Sequence, residues 1–164
     1  MNLLVQNNYL HSDLGRFACA IGRAGLTKNK IEGDHKTPVG EFKFQKIYYR
    51  KDKLGEFSFK IPFAVIQKND GWCDDPKSKQ YNQHIKFPFD ASAEILFIDD
   101  DLYDLLCVNK HNTDPIVPGR GSAIFLHISK PNFEGTEGCV AIEKENIIEL
   151  AKKIDLTTRL IIKN

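Results

Sequence analysis

The chain has 164 residues, 41% of them apolar, with 23 Lys and Arg set against 22 Asp and Glu. That length suits one domain and buries a core without covalent staples, so residues 1–164 read as a single folded unit. The balanced charge, with no basic stripe, excludes nucleic acid or an anionic membrane as the driving partner, and Lys28-Asn29-Lys30 reads as a solvated loop.

The amino terminus, Met1-Asn2-Leu3-Leu4-Val5-Gln6-Asn7-Asn8, lacks the charged start and apolar run of a secretory signal. No stretch of about 18 apolar residues follows, so no transmembrane helix is expected. A full-length chain of this kind stays cytoplasmic unless export takes another route. Short runs rich in Val, Ile, Phe and Tyr, bounded by Gly, Pro, Asn or Asp, predict strands at 3–5, 16–21, 41–49, 61–66, 94–98, 103–108, 123–128 and 158–163. Phe42, Phe44 and Ile47 break strict alternation and suggest a bulge. Residues 68–90 show no period and read as a long loop of the kind that carries function. Residues 143–154 predict a helix: Ile147, Ile148, Ala151 and Ile154 recur at helical spacing, with Glu143 and Glu145 at the start and Lys152 and Lys153 at the end. Many short strands with one or two helices predict a mainly β fold, sandwich or barrel-like, in place of a parallel α/β sheet.

Cys19 and Cys107 sit in apolar runs and read as buried, inert thiols. The cysteines show no C-x-x-C pairing and the five histidines no H-x-x-x-H spacing, so no metal site is expected.

The stretch that carries chemistry runs from Gly119-Arg120-Gly121-Ser122 through Ala123-Ile124-Phe125-Leu126-His127, then Thr136-Glu137-Gly138-Cys139. A strand ends at a histidine, a polar loop follows, and a cysteine appears after a glycine just before the predicted helix. An imidazole near a thiol can take its proton, and a helix start aimed at the sulfur would lower the thiol pKa. Gly138 permits a tight turn, and the backbone N–H groups of Cys139 and its neighbours would receive an oxyanion. By composition alone, His127 at a strand end is more often a hydrogen-bonded structural residue and Cys139 a small buried one.

Residues 126–140 resemble the signature of L,D-transpeptidase (YkuD-type) catalytic domains, in which a strand-end histidine precedes [Ser/Thr]-x-Gly-Cys. Thr37-Pro38-Val39-Gly40-Glu41-Phe42 is similar to the Thr-Pro-x-Gly-x-Phe element of the same family. The resemblance implies a mainly β catalytic domain in which Cys139 attacks and His127 is the base. It also implies that Gly138 and Cys139 line the oxyanion hole and that Thr136 supports the loop. In that family a backbone carbonyl orients the histidine; Asp114 or Glu137 is the alternative orienter here. The chain departs from the pattern at Ala141, where the family often has arginine, at Ile128, where it often has glycine, and at Glu137, often histidine.

The activity implied is peptidoglycan L,D-transpeptidation through a cysteine thioester. The resemblance implies donor and acceptor stem peptides as partners, no metal or organic cofactor, and acylation of Cys139 by carbapenem-type β-lactams. Alternatives are an L,D-carboxypeptidase, endopeptidase or amidase using the same residues with water, or a non-catalytic cell-wall-binding module. The resemblance implies a cell-envelope location. Arg120 is a candidate for a substrate carboxylate in place of the missing arginine. His111 and Asn112 read as a site edge or an ordinary turn. Trp72 and Tyr81, with Asp74 and Asn82 nearby, suit a peptide or amino-sugar groove, or simply packing. Oligomeric state has no signature in the sequence.

Overall fold

A computed structural model describes residues 1–164. Its strands are β1 (Asn2–Gln6), β2 (Tyr9–Ser12), β3 (Gly15–Ala20), β4 (Leu26–Thr27), β5 (Thr37–Pro38), β6 (Gly40–Tyr49), β7 (Phe63–Val65), β8 (Asp70–Cys73), β9 (His84–Lys86), β10 (Ala93–Ile95), β11 (Leu105–Asn109), β12 (Phe125–Ile128), β13 (Val140–Ile142) and β14 (Arg159–Ile162). The helices are α1 (Lys51–Leu54) and α2 (Lys144–Lys153), with one 3-10 turn at Pro131–Phe133.

The main sheet runs β11-β12-β13-β3-β2-β1-β14-β6, and β6 pairs back with β11, closing it into a barrel; β7 adds to β6 from outside the ring. Closure is made possible by the length of β6. Its first half pairs with β14, from Gly40 to Lys43, and its second half with β11, from Phe44 to Tyr49. The register slips where Val108 faces Lys46 but Asn109 faces Phe44. Gln45 is the extra residue, which is the bulge expected from the interrupted alternation. Phe44 before it, and Ile47 and Tyr49 after it, therefore all point into the barrel core. The β1–β2 hairpin turns on Asn7 and Asn8, with φ of 53° and 60°, the conformation a two-residue turn demands and asparagine tolerates.

Side-chain alternation in β11, β12 and β13 separates two cores. Leu105, Cys107, Leu126, Ile128, Val140 and Ile142 face the barrel interior, where α2 adds Ile147, Leu150 and Ala151, and Ile154 follows at its end. Leu106, Val108 and Phe125 face outward into a second cluster with Tyr48, Trp72, Leu96 and Tyr103. The three-stranded sheet β10-β8-β9 contributes Trp72 to that outer cluster. Each aromatic or aliphatic side chain fully buried this way contributes about 1.5–3 kcal/mol.

Residues 68–90 are thus not one long loop: β8 and β9 lie within them and pair with each other. The predicted strand at 94–98 shortens to β10, and the helix begins one residue later than expected, its buried face carrying Leu150 where Ile148 was expected. No helix is long and apolar enough to cross a membrane.

Candidate active site

Cys139 and His127 come together through strand pairing. β12 and β13 run parallel, with Leu126 opposite Val140 and His127 opposite Ala141. Leu126 and Val140 face the barrel core, so His127, Ala141 and Cys139 all emerge on the outer face. Cys139 lies two positions before Ala141, which puts the two Cα atoms about 8 Å apart on adjacent strands, a separation that side chains can bridge. Both side chains line one cavity of about 450 Å³. They are only 7% and 6% exposed, at its floor.

The histidine has a defined tautomer. Its Nδ1 lies 2.8 Å from the carbonyl oxygen of Ile128, which can only accept, so Nδ1 carries the proton and Nε2 keeps its lone pair. Tyr103 packs edge-on against the ring at 5.4 Å between centroids. Burial pushes the His127 pKa down to about 4, only partly offset by the Ile128 carbonyl and Asp100. The orienting group is the backbone carbonyl. Glu137 is occupied at the cavity rim by Arg23 and His35, and Asp114 is exposed outside the cavity lining.

The sulfur is held as a thiol. It donates to the Ala123 carbonyl at 3.1 Å and receives the Phe125 N–H at 3.3 Å. Burial pushes the Cys139 pKa up to about 12, and the Glu94 carboxylate adds to the rise; the Phe125 N–H and the Lys30 ammonium oppose it. The expected help from a helix start is missing, because β13 separates Cys139 from α2. Both shifts favour the neutral thiol and the neutral imidazole over a thiolate–imidazolium pair.

The loop before the nucleophile is fixed by two threonines. Thr136 Oγ1 donates to the Cys139 carbonyl at 2.7 Å and accepts the Gly138 N–H at 3.1 Å. Thr37 Oγ1, fully buried, accepts the Gly22 N–H at 2.8 Å and reaches the same Cys139 carbonyl at 3.4 Å. The two sequence elements noted above, 37–42 and 136–139, thus meet at one carbonyl oxygen. The Gly138 amide, expected in the oxyanion hole, donates to Thr136 in this structure. The Cys139 amide makes no hydrogen bond within the protein and is the free donor there.

Thr136, Gly138, His127 and Cys139 line the cavity; Arg120, His111, Asn112, Trp72 and Tyr81 do not. Arg120 is exposed, and its carbonyl, not its guanidinium, makes the observed contact, accepting from His111 Nε2 at 2.9 Å. Trp72 is buried edge-on against Phe125 at 5.2 Å, and its indole N–H donates to Asn82 at 3.0 Å. Tyr81, also buried, donates to Glu32 and accepts the Gly121 N–H at 3.0 Å. Asn112 braces Val117 through both ends of its amide and donates also to Gly121. These four residues, His111 included, build the support beneath the site.

Sequence reasoning missed Lys30, Glu32, Glu94 and Tyr103, all of which line the cavity. Tyr103 donates to Glu94, whose pKa rises to about 7, chiefly through burial. The one available signal was that Glu94 and Tyr103 open predicted strands feeding the outer core; nothing local marked Lys30.

The family model for the L,D-transpeptidase catalytic domain (YkuD) matches residues 4–162. No curated protein and no solved structure matches the chain.

Proposed function

Because this chain belongs to the L,D-transpeptidase catalytic domain family, we propose that it cross-links peptidoglycan stem peptides through a thioester on Cys139, with His127 as the general base. The observation that carries the reading is the shared outer face of β12 and β13. It sets the Cys139 thiol and an imidazole with a free Nε2 lone pair on the floor of one cavity.

In the first half-reaction the sulfur attacks a stem-peptide carbonyl while Nε2 of His127 takes the thiol proton. The C–S bond forms, and the tetrahedral oxyanion rests on the Cys139 N–H. The C–N bond then breaks, the imidazolium returns its proton to the departing amine, and a thioester remains. In the second half-reaction an acceptor amine attacks that thioester and gives its proton to Nε2. The C–S bond breaks, an amide forms, and His127 reprotonates the sulfur.

The cavity lining favours an amine acceptor. Glu32, Asp74, Glu94 and Glu134 face it against two lysines, Lys30 and Lys130, while Glu137 is paired with Arg23 and His35. A field of that sign concentrates an ammonium-bearing stem peptide at the thioester. Incubation of the purified protein with muropeptides, read by mass spectrometry, tests this. Cross-linked dimers from wild type and none from Cys139→Ala are expected. Trimmed monomers alone would mean hydrolysis, and turnover that survives Cys139→Ala would end the mechanism.

A further inference from the structure

Lys30 does not lie in a solvated loop. Its side chain is 6% exposed and it lines the cavity that holds Cys139 and His127. Enclosing an ammonium is costly without a partner, and Asp34 supplies one. The Asp34 carboxylate also accepts the Ile31 N–H at 3.0 Å and the Lys36 N–H at 2.9 Å. Burial pushes the Asp34 pKa up, but Lys30 and these two amides outweigh it, so the pair is ionic.

Two glycines set where the ammonium sits. Gly121, at φ 98°, leaves room for the lysine stem: a Cβ there would lie 2.7 Å from Lys30 Cγ and 3.1 Å from Cε. Gly138, at φ 144°, does the same for the head: a Cβ there would lie 3.3 Å from Lys30 Nζ. The ammonium therefore stands directly against the residue before the nucleophile. An ammonium has three N–H donors, and Asp34 engages one side of it.

The oxyanion site needs such a donor. The Gly138 N–H is spent on Thr136, which leaves the Cys139 N–H alone. We propose that Lys30 is the second oxyanion donor: its ammonium and the Cys139 N–H together receive the charge that develops on the substrate carbonyl oxygen. This rests on Cys139 being the nucleophile. It names a catalytic residue that the nucleophile–base pair does not include. As sulfur adds to the carbonyl, the C=O π pair moves onto oxygen and is held by these two donors; when the leaving group departs, the pair returns to re-form C=O. Lys30 keeps its proton throughout.

Two reactions of the same thiol separate this from a structural role. Alkylation by iodoacetamide displaces iodide at a saturated carbon and generates no oxyanion. Acylation by p-nitrophenyl acetate passes through a tetrahedral oxyanion and carries no carboxylate. In Lys30→Met, acylation is expected to fall about 100-fold, the scale for loss of one oxyanion donor, while alkylation changes far less. Lys30→Met with Asp34→Asn removes the unpaired carboxylate left by the single change and is expected to show the same split with the fold secured. Parallel loss of both reactions, or unchanged acylation, would overturn the proposal. So would a loss confined to carboxylate-bearing acyl donors, which would make Lys30 a carboxylate clamp. Acylation of wild type that persists in Cys139→Ala would instead remove the nucleophile assignment, and this proposal with it.

Discussion

His127 donates its Nδ1–H to the carbonyl of Ile128 at 2.8 Å, and that contact decides which end of the ring does chemistry. With Nδ1 protonated, Nε2 is a base without further adjustment. Burial holds the ring pKa at about 4 and the Cys139 thiol at about 12, so both partners are neutral across the physiological range. The thiolate then grows only as bulk pH rises. Iodoacetamide alkylation of Cys139 is expected to climb about tenfold per pH unit between pH 6 and 9, following the thiolate fraction. A flat profile over that range would show a preformed thiolate–imidazolium pair, and the neutral resting state described here would be wrong.

Two buried groups give stability opposite pH slopes. The His127 pKa is depressed from 6.5 to about 4, so its contribution is present above pH 6.5 and is lost as pH falls through 4. The Glu94 pKa is raised from 4.5 to about 7, chiefly by burial, so its contribution is complete below pH 4.5 and is lost as pH rises through 7. Glu94→Gln should therefore raise Tm at pH 8 by on the order of several degrees and do little at pH 4. His127→Gln should soften the decline below pH 6. Thermal unfolding followed across pH 4 to 8 checks both; a Glu94→Gln gain that is constant with pH would rule out titration as its cause.

The legible parts of the sequence were those with local cause. Ile147, Ala151 and Ile154 predicted α2 because a helix writes its buried face at a fixed spacing. His127 and Cys139 were legible from their resemblance to a family pattern, and Phe42-x-Phe44 with Ile47 announced the bulge. What stayed hidden depended on pairing between distant segments. Val140-Ala141-Ile142 looked like the approach to a helix, since a three-residue strand becomes one only when Leu126 to Ile128 lie beside it. Trp72 read as groove or packing because its neighbours are Asp70, Gly71 and Asp74; pairing of β8 with its sheet decides for packing, buried against Phe125 from the barrel. Lys30 was read as solvated because charge predicts exposure unless a partner such as Asp34, and a cavity built by residues about 90 to 110 positions away, override it.

Asn82 ties the small sheet to the site. Its Oδ1 accepts from Trp72 at 3.0 Å and from the Ala123 amide at 3.1 Å, while its Nδ2 donates to the carbonyls of His111 and Asn112. Ala123, held at φ 51°, is the residue whose carbonyl accepts the hydrogen bond of the Cys139 thiol. Asn82→Ala strands two buried donors and releases this turn. A loss of about 2–4 kcal/mol is expected, read as a lower urea midpoint, together with slower acylation of Cys139 at temperatures where the fold survives. An unchanged midpoint would mean that water replaces the amide at no cost and that the turn holds itself.

Thr136 makes the sharpest test of how the nucleophile loop is held. One hydroxyl donates to the Cys139 carbonyl at 2.7 Å and accepts the Gly138 N–H at 3.1 Å. Thr136→Val keeps the shape and removes both bonds. It frees the Gly138 amide, which could then point at the oxyanion, but leaves the Cys139 carbonyl with the longer contact to Thr37 alone. If rigidity at Cys139 matters more than an extra donor, acylation falls on the order of tenfold, the scale of about 1.4 kcal/mol for a lost buried bond. Thr136→Ser, which retains the hydroxyl, stays near wild type. Faster acylation in Thr136→Val would reverse that ordering: the Gly138 N–H would then be the donor the site lacks, with Thr136 holding it away from the substrate. Single-turnover acylation of the three proteins, each checked by circular dichroism, distinguishes the two.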